Sequence, residues 1–413
     1  MPADVYRRNA CGLCGGQETD LILHLAPTPA ADDYVPVERL NEVQEIYPLD
    51  LGLCRKCGHA QLLDVVSPET LFRNYIYLTA SSPGLVEHFR QYAEQVLGRV
   101  EPAKGSLAVD IGSNEGVLLR FFQEGGMRVL GIDPAREIAQ KAKDSGIETL
   151  PTFFTSELAR QIKKERGPAA LVTANNVFAH ADDLADITEG IRGLLAPSGV
   201  FVFEVSYLVD MIQGMVFDYI YHEHLCYHSV KPLNEFFRRH GMELIEVERI
   251  ATKGGSLRGT AQLVGGPRQV SASVSRFIAF EEDLGLHHAE SFKAFATKID
   301  SVKADLGSLL RDLTAEGKTI AGYGASATVT TLIYHFDLGD VMSFIVDDNP
   351  SRQGLFSPGF HIPVEAPLAL YERKPDYVIV LAWRFSDLIL EKHQAFLAQG
   401  GHFIVPLPKV EVL

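Results

Sequence analysis

The sequence predicts an α/β fold in three parts, and three observations lead to it. Residues 106–134 read as strand, glycine turn, helix and strand, which is a βαβ unit of an open parallel sheet. A second run of this kind starts near Lys318, where a strand leads into Gly322-Tyr323-Gly324. Four of the five cysteines form two close pairs ahead of both units. We therefore predict a cysteine-rich module at residues 1–66, a Rossmann-like core at 67–265, a helical connector at 266–315 and a C-terminal Rossmann-like lobe at 316–413.

Composition limits the classes of function. The chain has 413 residues, a formal net charge of −15, 46% hydrophobic and 22% charged residues, which are ordinary values for a globular protein of several domains. The negative charge argues against a broad surface for nucleic acid or anionic membranes. No apolar run reaches the roughly 18 residues of a membrane span, and the first residues lack the features of a signal peptide. We expect a cytoplasmic protein that binds neither nucleic acid nor membrane.

The glycine turn of the core lies between two acidic residues. Asp110 belongs to the first strand, Gly112, Asn114 and Gly116 follow it, and Asp133 ends the second strand. A dinucleotide site would show Gly-x-Gly-x-x-Gly here, and a carboxylate without the second glycine disfavours a pyrophosphate. Asp110 can instead face the amino group of a zwitterionic ligand, and Asp133 can accept both hydroxyls of a ribose. The turn predicts S-adenosylmethionine (SAM) as the cofactor, with Asn114 in place of the second glycine.

The rest of the core continues the same sheet. Phe153 is the candidate cover for the adenine ring, with a place in the hydrophobic core as an equal alternative. Asn175, Asn176 and His180 follow a predicted strand at the sheet edge where ligands bind in open α/β folds. We predict the strands at residues 107–111, 127–132, 147–150, 169–174 and 200–205, closed by an antiparallel pair at 244–250 and 256–264.

The two cysteine pairs predict a metal site. Cys11-Gly-Leu-Cys14 and Cys54-Arg-Lys-Cys57 have the spacing of two zinc knuckles, and each pair precedes a glycine that suits a tight turn. Disulfides are the alternative, which a cytosolic chain disfavours. Four thiolates leave no open coordination position, so the predicted zinc is structural. His59 is expected to be a bystander.

A segment after the fifth strand, residues 217–230, is dense in His, Glu and Tyr. Three interpretations stay open: a metal site at His222 and His224 around Glu223, a run of core or solvated histidines, and catalytic use. Catalysis is favoured because the segment follows the strand whose end faces the transferable methyl group. The metal is disfavoured because no further ligand cluster is evident. Tyr75 and Tyr77, by themselves, read as half-buried aromatic residues of a connecting segment.

Five features occur in an order that points to one family. They are the four-cysteine module, the VDIGSNEG loop, the Asn-Asn-x-x-x-His180 stretch, the Tyr221-x-Glu223-His224 cluster and the GYGASA loop. Over essentially its full length the sequence resembles the SAM-dependent deoxysugar C-methyltransferases. The resemblance implies methylation of a carbon next to the ketone of a dTDP-linked 4-keto-deoxysugar. It further implies His224 as the general base, with Glu223, Tyr221, His180 and Tyr75 or Tyr77 around the sugar.

That assignment agrees with the chemistry of the residues. Histidine is a reasonable base at neutral pH, and Glu223 can orient it. A carbon acid beside a ketone also needs its enolate stabilised, for which tyrosine hydroxyls or a protonated His180 can serve as donors. Two alternatives stay open: an O- or N-methyltransferase of a sugar or other small metabolite, and a non-catalytic regulator that binds SAM or a nucleotide.

The GYGASA loop of the C-terminal lobe has two interpretations. A helix N-terminus after a glycine turn can bind a nucleotide phosphate, and a purely structural turn is the equal alternative. The resemblance makes this lobe the one that closes over the nucleotide-linked sugar. The sequence departs from its relatives at Thr328, where they often carry a lysine, which leaves the nucleotide open. The oligomeric state is equally open, and a monomer is compatible with the sequence.

Overall fold

The N-terminal module is a small antiparallel sheet. In the computed structural model, which describes residues 4–72 and 78–413, strands β2, β3 and β4 pair in that order and β1 pairs with β5. The short helix α1 and the long helix α2 then lead to the core. The bounds are β1 (Val5–Arg7), β2 (Thr19–Thr28), β3 (Tyr47–Cys54), β4 (Ala60–Leu62), β5 (Asp64–Val66), α1 (Pro68–Phe72) and α2 (Pro83–Val100).

The core has the predicted α/β architecture. Its seven strands follow the order β12-β13-β10-β9-β6-β7-β8. The five adjacent strands from β10 to β8 are parallel, whereas β13 is antiparallel to both of its neighbours, β10 and β12. The seven strands are β6 (Leu107–Ile111), β7 (Arg128–Ile132), β8 (Thr149–Leu150), β9 (Ala169–Asn175), β10 (Leu195–Ser206), β12 (Met242–Ile250) and β13 (Ser256–Leu263). The same part of the chain also contains β11 (Cys226–Tyr227), which lies outside this sheet. The helices are α3 (Val117–Glu124), α4 (Arg136–Asp144), α5 (Ser156–Arg166), α6 (Leu184–Leu194), α7 (Leu208–Gln213) and α8 (Val230–Arg239).

Burial explains this arrangement. Every residue of β6 is buried, as expected for a central parallel strand covered by helices on both faces. The strand order reverses between β6 and β9, so the carboxyl ends of these two neighbours diverge into separate helices and leave a crevice above the sheet. The predicted ligand residues of both strands therefore lie at one edge.

Strand β11 does not belong to the core sheet. Cys226 and Tyr227 pair with Gln61 and Ala60 of β4, so that the four-stranded sheet of the N-terminal module ends on a strand from the core segment. The backbone N–H of Leu62 also donates to the carbonyl oxygen of Leu225 at 2.9 Å. The segment before β11 is thereby joined to the N-terminal module.

The connector predicted at residues 266–315 does not form a single helix. Two helices are present, α9 (Ala272–Asp283) and α10 (Ala289–Ala315), separated by a turn at Gly285, whose φ of +63° a glycine adopts without strain. Glu281 belongs to α9, and its fully buried carboxylate accepts hydrogen bonds from the Tyr207 hydroxyl and the Val230 N–H. These bonds hold the connector against the core.

The C-terminal lobe is the predicted second α/β unit. Its six strands follow the order β16-β15-β14-β17-β18-β19, and only the β18–β19 pair is antiparallel. Strand β17 is short, and residues 383–385 after it form a tight helical turn. The bounds are β14 (Ile320–Tyr323), α11 (Ala327–His335), β15 (Ile345–Val346), β16 (Val364–Glu365), α12 (Ala369–Arg373), β17 (Tyr377–Val380), α13 (Ser386–Lys392), α14 (Gln394–Ala398), β18 (His402–Val405) and β19 (Glu411–Val412). Among the described residues, no helix combines the length and apolarity needed to cross a bilayer.

Candidate active site and metal centre

One large cavity separates the carboxyl edge of the core sheet from the C-terminal lobe. Its volume is about 1320 Å³, above the range of about 300–1,000 Å³ typical of a site for one small molecule. Both α/β units and the segment before β11 contribute to its wall. The lining includes most of the predicted site residues, namely Asp110, Gly112, Asn114, Asp133, Phe153, Asn175, Asn176, His180, Tyr221 and His224.

Asp110 lies at the floor of the cavity with its carboxylate almost fully buried. The Thr173 hydroxyl of the neighbouring strand donates to its Oδ1 at 2.6 Å. Burial raises the pKa of Asp110 to about 7, the Thr173 hydrogen bond opposes that rise, and the Asp133 carboxylate adds to it. A cationic group placed here would favour the ionised carboxylate, which is the environment that the ammonium group of SAM requires.

Asp133 stands at the end of β7 and is held by the backbone. Its Oδ2 accepts from the Asn114 N–H at 2.8 Å and its Oδ1 from the Ala135 N–H at 2.9 Å. Burial raises its pKa, and these two hydrogen bonds oppose the rise. Each carboxylate oxygen keeps a second lone pair, so the group still offers two acceptors to a ribose diol.

The turn between β6 and α3 explains why Asn114 replaces a glycine. Asn114 has a φ of +50°, a left-handed conformation that asparagine tolerates better than most residues. Its side-chain Oδ1 accepts from the Thr79 N–H at 3.1 Å, so the residue also joins the turn to the segment before α2. Gly112 lines the cavity, whereas Gly116 does not: a Cβ at Gly116 would lie 2.8 Å from Ile147, which indicates a packing role.

The predicted residues of the adjoining strands also line the cavity. Phe153 is half-buried on the cavity wall, a position compatible with the predicted place over the adenine ring, and its neighbour Phe154 is buried. Asn175 ends β9, and Asn176 follows it with a φ of +55°. The Asn176 N–H donates to the Glu204 carbonyl oxygen at 2.7 Å. Tyr75 and Tyr77 lie outside the described residues.

His224 is set with one ring nitrogen available to the cavity. Its Nδ1 lies 2.8 Å from the carbonyl oxygen of Tyr219, which can only accept, so Nδ1 carries the proton and Nε2 keeps the lone pair. Burial lowers the pKa of His224 to about 4, the Tyr219 hydrogen bond opposes this shift and the charge of Lys253 adds to it. The ring is therefore neutral at neutral pH, in the form of a base.

This geometry corrects the role expected for Glu223. The sequence suggested that Glu223 orients His224, but the nitrogen it would orient is already bonded to Tyr219. Glu223 is buried, and its charge acts on Lys253, raising the pKa of that lysine. Tyr221, by contrast, packs on His224, with 4.2 Å between the two ring centroids.

His180 corrects a second expectation. Its ring centroid lies 5.0 Å from that of His224, but burial and the charges of His224 and Lys253 hold its pKa well below the ordinary value. The imidazole is therefore neutral, and the protonated His180 that we expected as a donor to an enolate does not form at neutral pH. His180 also stacks on Phe72, at 5.6 Å between centroids.

The neighbouring His222 points away from the cavity. Its Nε2 lies 3.1 Å from the carbonyl oxygen of Pro48 in the N-terminal module, and its ring meets Tyr47 edge-on. Histidines 222 and 224 therefore contact different groups, and residues 221–225 form neither helix nor strand. Over residues 4–72 and 78–413, the only cluster of three or more potential metal ligands is formed by the cysteines of the N-terminal module.

The four cysteines form a site of the size that zinc needs. Their Sγ atoms all lie within 4.8 Å of one another, with 3.7 Å between Cys11 and Cys57 and 3.5 Å between Cys14 and Cys54. A tetrahedron with Zn–S bonds of about 2.3 Å has S–S edges of about 3.8 Å, so the spacing fits. The hydrogen bond from Cys57 lowers the pKa of Cys11 to about 5, and burial raises that of Cys14 to about 11.

Comparison with known proteins assigns the family. The C-methyltransferase NovU of Streptomyces niveus is 34% identical over 404 residues, which cover 98% of this chain and 96% of that protein. The chain belongs to the C-methyltransferase family. Three family models match it in order: "Putative zinc binding domain" at residues 11–72, "Methyltransferase domain" at 86–247 and "C-methyltransferase C-terminal domain" at 251–408.

Two solved methyltransferase structures are each similar to less than half of the C-methyltransferase. A SAM-dependent methyltransferase from Clostridium acetobutylicum covers 43% of this chain and 92% of its own, with 11% identity and a TM-score of 0.36. The magnesium protoporphyrin IX methyltransferase of Synechocystis covers 43% and 80%, with 14% identity and a TM-score of 0.33. With TM-scores this low, the assignment rests on the relative and the family models.

The cofactors follow from the family and the geometry together. The C-methyltransferase is a SAM-dependent enzyme, and the acidic pair Asp110 and Asp133 with the Gly112 turn forms a cradle that suits SAM. It also contains a zinc-binding module whose four cysteines leave no position for a substrate, so the metal is structural.

Several residues of the site were missed by sequence reasoning. Tyr219 fixes the tautomer of the base through its backbone carbonyl, a role that leaves no mark in a sequence. Lys253 and Arg384 line the cavity from a turn of the core and from the C-terminal lobe. The one available signal was the Lys253-Gly-Gly255 tripeptide, which predicts a tight turn between two strands at the ligand edge.

Proposed function

We propose that this C-methyltransferase methylates a carbon next to the ketone of a nucleotide-linked keto-deoxysugar, and that His224 removes the proton from that carbon. The observation that carries the proposal is the hydrogen bond from His224 Nδ1 to the Tyr219 carbonyl oxygen at 2.8 Å. It leaves Nε2 unprotonated in the cavity that also holds the SAM-binding carboxylates. SAM, when bound, supplies the methyl group.

A neutral imidazole is a weak base toward a carbon acid, so the protein has to contribute in two further ways. The acceptor carbon must be held against the methyl donor, because proximity alone can supply several kcal/mol of the barrier. The oxygen that gains negative charge must meet a hydrogen-bond donor. Tyr221 packs on the base and lines the cavity, where its hydroxyl is a candidate for that donor.

The size and position of the cavity support a large second substrate. Its volume of about 1320 Å³ suits two ligands, and the C-terminal lobe contributes the residues around the start of α11. We assign the nucleotide part of the substrate, which the family resemblance suggests to be dTDP, to this side of the cavity. Ser326 caps α11, and its hydroxyl lies 3.1 Å from that of Thr328.

The backbone N–H groups at the start of α11, rather than a lysine, are then the donors to phosphate. Gly324 at this turn has a φ of +108°, and a Cβ there would approach Ala382 to 2.6 Å. The glycine is thus needed for packing as well, so the turn has a structural role beside the phosphate binding that we propose.

Incubation with SAM and a panel of nucleotide-linked keto sugars, read by mass and NMR, tests the proposal. We expect one new methyl group on carbon and a His224→Asn variant whose turnover falls about 10²–10⁴-fold, the range for loss of a general base. SAM affinity of that variant should stay within about twofold of the wild type. His402→Asn, an exposed histidine at the start of β18, is the matched control.

Two results would overturn the proposal. A new methyl group bonded to oxygen or nitrogen would favour the O- or N-methyltransferase alternative. Near-normal methylation by a folded His224→Asn protein would remove the base from this residue. Exchange of the substrate's carbon-bound hydrogen in deuterated water, if seen in the wild type and lost in His224→Asn, would add direct support for a carbon acid.

A further inference from the structure

A strained turn places a lysine on the cavity wall. Lys253 lies between β12 and β13 with a φ of +54°, a left-handed conformation that is strained for a non-glycine residue and rarely adopted. Gly254 and Gly255 follow with φ values of +84° and +118°. The turn lines the cavity from Ala251 to Gly254. A non-glycine residue in this position persists only where its surroundings fix it.

The turn is fixed by a buried carboxylate and by packing. The Thr252 hydroxyl donates to Glu204 Oε1 at 3.0 Å, and the Gly255 N–H donates to the Thr252 carbonyl oxygen at 2.9 Å. A Cβ at Gly255 would lie 2.2 Å from the Asp210 side chain, so the backbone lies closely against α7.

Glu204 itself is only 1% exposed and is held by two further groups. His88 Nε2 lies 2.8 Å from Oε1, and Arg258 Nε donates to Oε2 at 3.1 Å. The same residue accepts the Asn176 N–H on its backbone carbonyl. Glu204 therefore joins the Lys253 turn to α2 and to the end of β9.

The charge of Lys253 reaches both imidazoles of the cavity. It lowers the pKa of His180 and of His224, so its ammonium group and these rings share one electrostatic environment. Burial lowers the pKa of Lys253 itself, while the charges of Glu204 and Glu223 raise it.

Two arginines also line the cavity, and each faces a carboxylate. Arg352 forms an ion pair with Asp32 at 2.5 Å, and Arg384 forms one with Asp218 at 3.1 Å. Among the described lining residues, Lys253 is the cation whose charge acts on both His224 and His180.

We propose that Lys253 is a catalytic residue whose ammonium group donates a hydrogen bond to the oxygen that becomes negative when His224 takes the proton. This inference rests on the proposed function. In the step, the proton moves from the substrate carbon to Nε2 of His224, and the C–H electron pair becomes the enolate. The enolate carbon then forms its bond to the methyl group as the methyl–sulfur bond breaks and the electron pair stays on sulfur. Lys253 keeps its protons throughout.

The charges explain why the cation belongs here. Before proton transfer, an ammonium beside a neutral imidazole disfavours the imidazolium that the reaction must form. Once the enolate forms, its negative oxygen lies near two cations, and the arrangement is favourable only in that state. A group that stabilises the transition state more than the ground state raises kcat rather than lowering KM.

Lys253→Met and Lys253→Arg, assayed with the acceptor found for the wild type, test the inference. We expect Lys253→Met to slow single-turnover methylation by about 10²–10³-fold, the loss typical of one oxyanion donor, and Lys253→Arg to restore part of it. The dissociation constants of SAM and of the acceptor should change less than threefold. The matched control is Lys293→Met, an exposed lysine of α10 paired with Glu290.

Glu204→Gln tests the positioning of the turn separately. It removes the charge but keeps the shape, so we expect kcat to fall while KM for both substrates stays the same. The double variant Glu204→Gln/Lys253→Met should lose no more kcat than Lys253→Met alone.

Each other outcome decides against the inference. A folded Lys253→Met protein with methylation within threefold of the wild type would remove the lysine from the chemistry. Weaker binding of SAM or acceptor with kcat unchanged would make it a binding residue. If the wild-type product carries its methyl group on oxygen or nitrogen, the proposed function fails first, and the lysine experiment is not needed to show it.

Discussion

Asp110 is the predicted partner of the SAM ammonium group, and its own protonation state changes near neutral pH. Its pKa of about 7 in the ligand-free protein arises from burial, with the Asp133 carboxylate adding to the shift. A bound ammonium group would lower that pKa, because an opposite charge at short range favours the ionised carboxylate. Binding of SAM is therefore expected to release a proton whenever Asp110 is protonated beforehand.

We predict that SAM affinity rises with pH up to about 7. Below the free pKa of about 7, each binding event must first remove the proton, so the dissociation constant should increase by up to about tenfold per pH unit. Above that pKa the dissociation constant should no longer change with pH, until the amino group of SAM itself loses its charge at about pH 8. Calorimetry in two buffers of different ionisation enthalpy measures both the affinity and the proton released.

Asp110→Asn is the control for that pH dependence. It should bind SAM more weakly and show no proton release between about pH 5.5 and 7.5, since the titrating group is gone. A wild-type affinity that is constant across this window would contradict the assignment of Asp110 to the ammonium group.

At the scale of elements, the segment from 217 to 227 is held from both sides. The N-terminal module holds its far end through β4 and β11 and through the Pro48 carbonyl. The C-terminal lobe holds its near end: Trp383 Nε1 donates to Asp218 at 3.1 Å, and the Thr331 hydroxyl donates to the Ile220 carbonyl oxygen at 2.8 Å. Arg384 also lies over the Tyr219 ring, 4.5 Å from its centroid. The carbonyl that orients His224 is thus fixed by the accessory parts of the chain.

We predict that Asp218→Asn lowers turnover without weakening SAM binding. The variant leaves the Arg384 guanidinium without its buried carboxylate, and losing one partner of such a pair costs about 3–5 kcal/mol of the free energy of unfolding. Below the melting temperature, kcat should fall at least about tenfold, because Tyr219 loses the support that orients the base. Denaturant unfolding and steady-state kinetics measure the two effects.

Glu290→Gln provides the comparison, since it breaks the exposed Glu290–Lys293 pair of α10. Such a surface pair contributes less than about 1 kcal/mol, and kcat should not change. Unaltered kcat in a folded Asp218→Asn protein would show that the ion pair has only a structural role.

The sequence predicts elements that depend on local interactions better than elements whose partners lie far away in the chain. Strand β6 and the antiparallel pair β12 and β13 match their predicted positions to within two residues, because buried runs and glycine turns are local signals. The two helices of the connector were predicted as one stretch, since Gly285 alone gave little indication of a break. Strand β11 had no local signal at all, because its partner lies in another module.

The site divides in the same way. The residues around Asp110 and Asp133 follow from a local motif, and the structure brings them to one cavity. The hydrogen-bond partner of His224 does not follow from a motif, because every residue type has a backbone carbonyl and Glu223 was the more obvious candidate. The neutral state of His180 depends on burial by distant residues, which no spacing reveals. The boundaries of the three parts stay predictions.

At the scale of the whole molecule, the three parts share one hydrophobic core. A single cluster of buried residues contains Cys11 and Leu25 of the N-terminal module, Phe203 of the core sheet and Val380 of the C-terminal lobe. The cavity lies where these parts meet, so its shape depends on all of them. The zinc module is therefore more than an appended domain: its sheet includes a strand that begins two residues after the base.

This continuity leads to a prediction about zinc. Cys54 ends β3, which pairs with β4, and β4 in turn pairs with β11. We expect Cys54→Ser to lower the zinc content from about one per chain to near zero, since structural zinc needs all four ligands. Loss of the metal should loosen β4 and with it the segment that carries His224. Methylation should then fall about 10²-fold or more, while SAM affinity stays within about threefold, because the hydrogen bonds seen for Asp110 and Asp133 among the described residues come from Thr173, Asn114 and Ala135 of the core. Elemental analysis, calorimetry and single-turnover kinetics on the full chain give the three readouts.

Cys226→Ala, the one cysteine outside the cluster, controls for loss of a buried thiol and should keep its zinc. Full activity in a zinc-free Cys54→Ser protein would show that the metal serves neither the fold nor the base, and loss of SAM binding in step with methylation would indicate general unfolding instead.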